Sequence, residues 1–267
     1  MKHLIITLIA FFGIVSTQAH AQEAFDHQVW NELLQEHIVV LDGGQATQVN
    51  YQGFADEHDT LKSYLDSLAT INQTQFDSWP KNDQLAFLIN AYNAWTVEFI
   101  LTSWPDIDSI KELGSLFSSP WSKEIVTLLG QTRSLDDVEH NLIRGSNRYN
   151  DPRIHFAVNC ASIGCPALAN QAYQGSNVDD LLEAQTKLFL NDRSRNRING
   201  KKLEVSSIFK WYAEDFEKGW LGYLSLEEFF IHYADELDLS ADNISKLESK
   251  KLKFKYLDYD WDLNKTR

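Results

Sequence analysis

The sequence predicts an α+β fold, a helix-rich single domain packed on a small, mostly antiparallel sheet. Three observations carry that expectation. Apolar residues recur at helical spacing through most of the chain, an Asn199-Gly200 step stands between β-prone arms, and Lys251 to Asn264 alternates like a strand. Helical segments outnumber strands, and the strands come late.

The chain opens MKHLIITLIAFFGIVSTQAHAQ. Lys2, the apolar run Leu4–Val15 and the small-x-small step Ala19-His20-Ala21 predict a secretory signal over residues 1–21, cleaved near Ala21. The run is too short for a comfortable bilayer span, and no later segment is apolar enough for one. The expectation is a periplasmic or secreted protein whose single domain covers 22–267. Removing residues 1–21 takes away Lys2 and no acid, so the net charge moves from −14 to −15. That acidity argues against nucleic acid or an anionic membrane surface as a partner, and leaves a small molecule or peptide.

Phe25 to Val40 carries helical spacing and ends in the turn Asp42-Gly43-Gly44. Leu61, Tyr64, Leu65 and Leu68 mark a second helix. The third, Asp83 to about Ser103, is apolar almost all round and so is expected to be central and buried. Asn90 and Asn93 share one face of it beside Tyr92. Buried amides need partners: the plain reading is that they tie down loops, the sharper one that they border a substrate site.

Ser134 to Arg144 predicts another helix, with Ser134 as N-cap and Asp136 and Asp137 at its positive end. Asp136, His140 and Arg144 fall on one face, while Glu139 points about 100° away from His140. Arg153 to Asn159 alternates as a strand, and Pro166 suits the first turn of a helix capped near Cys165. Helices are then expected over Asp179–Leu190, Ile208–Phe216 and Leu226–Leu237, with a hairpin over Arg197–Val205. Arg193, Arg195 and Arg197 read as solvated charge, or less simply as a docking patch.

The two cysteines, Cys160 and Cys165, admit several chemistries. In an exported chain a disulfide is the plain expectation, and so short a loop gains little chain entropy from it. A thiol-dependent hydrolase or acyl transferase would use Cys165, at a helix N-terminus, or Cys160 as nucleophile. His140 would be the base, because strand parity places His155 and Cys160 on opposite faces. Asn159 would donate to an oxyanion, and Arg144 or Arg153 would hold a substrate carboxylate. A zinc site drawn from His140, His155, Cys160, Cys165 and Glu139 is the third option, without a specific spacing behind it. The run Asp258-x-Asp260-x-Asp262 fails as an EF-hand, since its sixth position is Leu263. No P-loop, Gly-x-Ser-x-Gly or dinucleotide fingerprint occurs, and no cofactor is expected.

Five blocks stand in order: Phe87-Leu-Ile-Asn-Ala-Tyr-Asn93; Leu135-x-x-x-Glu-His-x-x-Ile-Arg144; Asp151-Pro-Arg-Ile-His-Phe-Ala-Val-Asn-Cys160 with Cys165-Pro166; Phe209-x-Trp-Tyr-x-x-Asp-Phe216; and Tyr259-Asp-Trp-x-Leu-Asn264. From about residue 80 to the end, the chain thereby resembles the family catalogued as domain of unknown function 547. That family occurs in exported bacterial proteins and, fused to leucine-zipper segments, in plants. The resemblance brings no activity with it. It implies a hallmark made of the Asn90/Tyr92/Asn93 helix, Glu139-His140, Arg144, His155, Asn159-Cys160 and Cys165-Pro166, and so a polar site near His140 and the cysteine loop. A non-catalytic binding or interaction module with a Cys160–Cys165 bridge remains the alternative to the enzyme.

Overall fold

The computed structural model describes residues 24–115 and 117–266, so the expected signal segment lies outside the described residues. Helices dominate, with short strand pairs between them, as an α+β chain requires. No helix among the described residues is long and apolar enough to cross a membrane.

Helix α1 (Gln28–His37) leads into the antiparallel pair β1 (Ile38–Leu41) and β2 (Ala46–Val49). The sequence pattern had carried α1 on to Val40. The chain instead extends at Ile38, where a β-branched pair, Val39-Val40, faces solvent. Helices α2 (Tyr51–Asp56), α3 (His58–Ala69) and α4 (Gln73–Asp77) follow, the last started by an Asn72/Gln75 capping box. Helix α5 (Lys81–Leu101) has no polar face, as its composition predicts. It is the axis of the first core, with α2, α3 and the Asp137–Arg144 helix packed around it. Each large side chain buried there, such as Phe87 or Ile89, contributes roughly 1.5–3 kcal/mol.

Strands β3 (Val126–Leu128) and β4 (Gln131–Arg133) form a second small hairpin before the helix Asp137–Arg144. That helix is wound as a π-helix, wider than the α-helix its sequence suggests. Residues 153–159 form no strand. Asp151 accepts a hydrogen bond from the Arg153 N–H and Pro152 takes the first helical position, starting a 3₁₀ turn over Pro152–Phe156. The alternation over Arg153–Asn159 could not outweigh those two signals. Nor does a helix begin at Pro166: residues 166–169 are irregular, and the Cys160–Cys165 loop is held instead by the C-terminal segment.

Helix α6 (Val178–Asn191) and the hairpin of β5 (Arg197–Asn199) and β6 (Lys202–Val205) follow their sequence signals, with Gly200 at φ +59° in the turn. The expected Ile208–Phe216 helix is two short ones, α7 (Ile208–Trp211) and α8 (Ala213–Phe216), broken at Tyr212. Helices α9 (Leu226–His232) and α10 (Ala241–Glu248) come next. The last strand, β7 (Lys253–Tyr256), pairs parallel to β6, so this sheet is mixed. A second core built on Phe156, Phe189, Phe209, Phe216, Phe229 and Phe230 lies under it. After β7 the chain returns to the first core: Leu263 is buried there, and Tyr51 donates its hydroxyl to Asn264. The functional cleft is bounded by both cores.

Candidate functional site

The cleft opens between α5, the π-helix and the cysteine loop on one side, and α7 and the C-terminal segment on the other. Its volume is about 160 Å³. That is room for a benzene-sized group rather than a whole drug-sized ligand.

The π-helix supplies Asp136, Glu139 and His140 to this space. As the sequence predicts, His140 meets Arg144 one turn on: the Arg144 guanidinium donates to His140 Nδ1 at 2.7 Å. Arginine can only donate, so His140 Nδ1 accepts this bond, and Nε2 faces Asp136 at 3.6 Å. Glu139 was expected to point elsewhere. The wider winding reduces the angle between neighbouring side chains, and Glu139 joins the same cleft, 3.8 Å from His140 Nδ1. It is 6 % exposed and stands close enough to the Tyr92 and Tyr212 hydroxyls to act on both phenols. Burial, with the Glu139 charge adding to it, holds both phenols protonated. Burial also raises the Asp136 carboxyl, with His140 opposing and Glu139 reinforcing.

His155 reaches the cleft from the 3₁₀ turn. Its ring stacks on Tyr212, centroids 3.9 Å apart, and its Nε2 lies 2.8 Å from Asp215. Burial pushes its pKa down, with Asp215 resisting, so this imidazole is neutral at pH 7. The parity argument that separated His155 from Cys160 fails because the backbone is not a strand: both residues line the cleft.

Cys160 and Cys165 form a disulfide in the cleft wall, their Cα atoms 6.2 Å apart. Cys165 is 3 % exposed. Its Sγ receives the Cys160 backbone N–H at 2.9 Å and lies 3.2 Å from the Tyr259 hydroxyl. Neither histidine hydrogen-bonds a sulfur. The thiolate-stabilising helix terminus expected at Pro166 is replaced by these two donors. Among the described residues, the side chains that gather within metal-sharing distance are Glu36, His37 and Glu57, not the cysteine and histidine set.

The remaining expected site residues hold the walls. Asn90 exchanges hydrogen bonds with the Tyr173 backbone (2.7 and 3.0 Å), and Asn93 donates to Ala157 O while accepting from Asn159 N–H (2.9 and 2.8 Å). Asn159 spends its NH₂ on Pro166 O at 2.8 Å and its oxygen on Ala161 N–H. Arg144 pairs with Asp215, whose other partners are His155 and Lys218. Arg153 is 7 % exposed and bound by Asp151, Asp179 and Glu183. Arg195 donates to the Gln45 and Ile163 carbonyls rather than offering a docking patch.

Reasoning from single residues missed the aromatic wall: Trp121, Trp211, Tyr212, Tyr259 and Trp261. Tyr259 and Trp261 lie 4.5 Å apart by centroid, and Trp211 stacks on Trp261 at 5.8 Å. The blocks Phe209-x-Trp-Tyr and Tyr259-Asp-Trp carried that signal. Among the described residues no Lys or Arg lines the cleft. Its acidic lining side chains are Asp136 and Glu139, and the Arg144 guanidinium stands behind His140, 4.7 Å from the Tyr212 ring.

No curated protein and no solved structure matches the chain. A family model described as "Protein of unknown function, DUF547" matches residues 76–190, a segment that holds Tyr92, Glu139, His140, His155 and both cysteines but not the wall from Trp211 to Trp261. Residues 76–190 are thus similar to the DUF547 family of proteins of unknown function.

Proposed function

We propose that the protein is a binding module for a small organic cation, an ammonium group carrying apolar substituents. One observation carries this reading: the acidic side chains Asp136 and Glu139 sit inside a wall of aromatic rings with no Lys or Arg among the lining residues. Indole and phenol faces attract cations, most strongly where water is excluded, and methylated ammonium groups are the usual guests. The fold already contains such a pairing, since the Lys111 ammonium stands 3.9 Å over the Trp261 ring. The size of the cleft suits a quaternary ammonium head.

Thiol-dependent hydrolysis or acyl transfer is the less supported reading. Bridged sulfurs are not nucleophiles, and that chemistry would start only after the bridge opens. The bridge also favours an oxidising location such as the periplasm, in keeping with the leader-like N-terminus.

The test is a titration of the purified protein with choline and with its uncharged isostere, in which carbon replaces nitrogen, followed by tryptophan fluorescence and calorimetry. Saturable choline binding, tighter than the isostere by about tenfold or more, is the expected result. Equal affinity for the two, or no binding of choline, overturns the reading.

A further inference from the structure

The disulfide stands in the cleft wall, yet its loop does not depend on it for shape. Ile163 N–H donates to Asp262 O at 2.8 Å, Gly164 N–H to Asp260 O at 2.8 Å, and Asn264 N–H to Ala161 O at 3.2 Å. Arg195 clamps Ile163 O at 2.6 Å, and Asn159 holds Pro166 O. A Cβ on Gly164 would sit 2.8 Å from Asp260 O and from the Tyr259 ring, so the loop is pressed against the C-terminal segment. A bridge that fixes nothing the backbone has not already fixed is open to a chemical role.

The two sulfurs are not equivalent. Cys165 is buried, whereas Cys160 is partly exposed. The hydroxyls of Tyr259 and Ser162 stand near both, at 3.2–3.5 Å. The Cys160 backbone N–H reaches Cys165 Sγ alone, at 2.9 Å, and its direction is fixed by the chain. In thiol–disulfide exchange the sulfur that departs carries the charge, and donors aimed at it speed departure.

We propose that the Cys160–Cys165 bridge is a thiol–disulfide exchange site, in which a low-molecular-weight thiol entering the cleft attacks Cys160 and expels Cys165. The thiolate's electron pair forms the new S–S bond to Cys160 Sγ. The Cys160–Cys165 bond breaks, and its pair leaves on Cys165 as a thiolate held by the Cys160 N–H and the Tyr259 hydroxyl. A second equivalent of thiol attacks the sulfur of the bound thiol, releasing the small disulfide and leaving Cys160 as a thiolate. The small thiol is oxidised and the protein reduced by two electrons, with no other reactant. This step is independent of the cation reading.

The experiment exposes the native full-length protein to reduced glutathione, quenches with acid, alkylates and maps adducts by mass spectrometry. Cys165→Ser, incubated with glutathione disulfide, traps the adduct should the wild-type mixed disulfide be short-lived. Glutathione is expected on Cys160, with Cys165 free for alkylation. Opening should be first order in thiol, insensitive to low urea, and slowed about threefold to tenfold in Tyr259→Phe. Cys160→Ser should resist glutathionylation in the native state. An adduct on Cys165, opening limited by the rate of global unfolding, or a Tyr259→Phe rate equal to wild type overturns the proposal.

Discussion

His155 Nε2 lies 2.8 Å from Asp215 Oδ2, and the other ring nitrogen of His155 is buried without a hydrogen-bond partner among the described residues. The imidazole thus donates one proton to Asp215 and leaves a bare lone pair. Protonating that nitrogen would place a cation against Tyr212 and Phe216 in a buried site. Burial lowers the His155 pKa for this reason, although Asp215 and Glu139 act the other way.

The sign of the pH effect follows. Between its lowered folded pKa and the unfolded value of about 6.5, the unfolded chain binds more protons at His155 than the native one. This residue therefore contributes stability that is complete above about pH 6.5 and is lost as pH falls through the folded pKa. Urea unfolding of wild type at pH 7.5 and 5.5 should show the decline. His155→Phe keeps the stack on Tyr212 and should flatten that slope, while losing about 1.5–3 kcal/mol at pH 7.5 from the missing bond to a charged acceptor. A variant with the wild-type slope would place the titration elsewhere.

Asp215 acts through the opposite kind of group. Burial would raise its carboxyl, but hydrogen bonds from His155, Arg144 and Lys218 outweigh that and hold it well below the usual carboxylate range. Its contribution is present above about pH 4, the unfolded value, and disappears only as pH falls through the depressed folded pKa. Asp215→Asn leaves Arg144 without its counter-charge, and the expected loss is about 3 kcal/mol in chemical denaturation at pH 7. A loss below about 1 kcal/mol would mean that solvent screens Arg144 fully.

The same cluster shows what a sequence can disclose. The Asp136–His140–Arg144 face was readable because a helix puts i and i+4 together, and α5 was readable from its unbroken apolar composition. Asp215 was not, since α8 meets the His155 turn only through tertiary packing sixty residues apart. Local alternation misled at 153–159, where Asp151-Pro152 imposed a helical turn. Winding misled at Glu139, whose direction depends on a π-turn that no single residue announces. The aromatic wall stayed hidden because its members come from 121, 211–212 and 259–261, and only folding gathers them.

Glu139 is the more enclosed of the two cleft acids, and Gln keeps its shape and its polar oxygen beside Tyr92 and Tyr212. Glu139→Gln should therefore fold with its near-ultraviolet dichroism unchanged and weaken choline roughly tenfold or more, as loss of a partly desolvated charge implies. The calorimetric titration that defines wild-type affinity measures it. Unchanged affinity would remove Glu139 from the site.

Arg153 offers the converse case. Its guanidinium is saturated by Asp151, Asp179 and Glu183, stands 4.9 Å from the Trp220 ring, and does not line the cleft. Asp179 is largely exposed and needs no partner, whereas Asp151, its side chain only 12 % exposed, would be left without its counter-charge. Arg153→Leu should lower stability by about 3 kcal/mol and leave choline affinity within about twofold of wild type. A large loss of affinity in the folded variant would return Arg153 to ligand recognition.

The stability supplied by the bridge itself is a separate quantity from its reactivity. Closing a loop of five or six residues restricts the unfolded chain by only about 2 kcal/mol in the chain-entropy treatment. Replacing both cysteines, Cys160→Ser with Cys165→Ser, removes that restriction and keeps small side chains beside Tyr259. The native loop retains its bonds to residues 260–264 and to Arg195, so nothing else in the folded state should be lost. For a chain of this size the expected fall in melting temperature is about 4–8 °C, with cooperative unfolding preserved. A loss of more than about 5 kcal/mol, or a melt without cooperativity, would mean that the backbone anchors need the bridge. The loop could then no longer open while the fold around it stays intact.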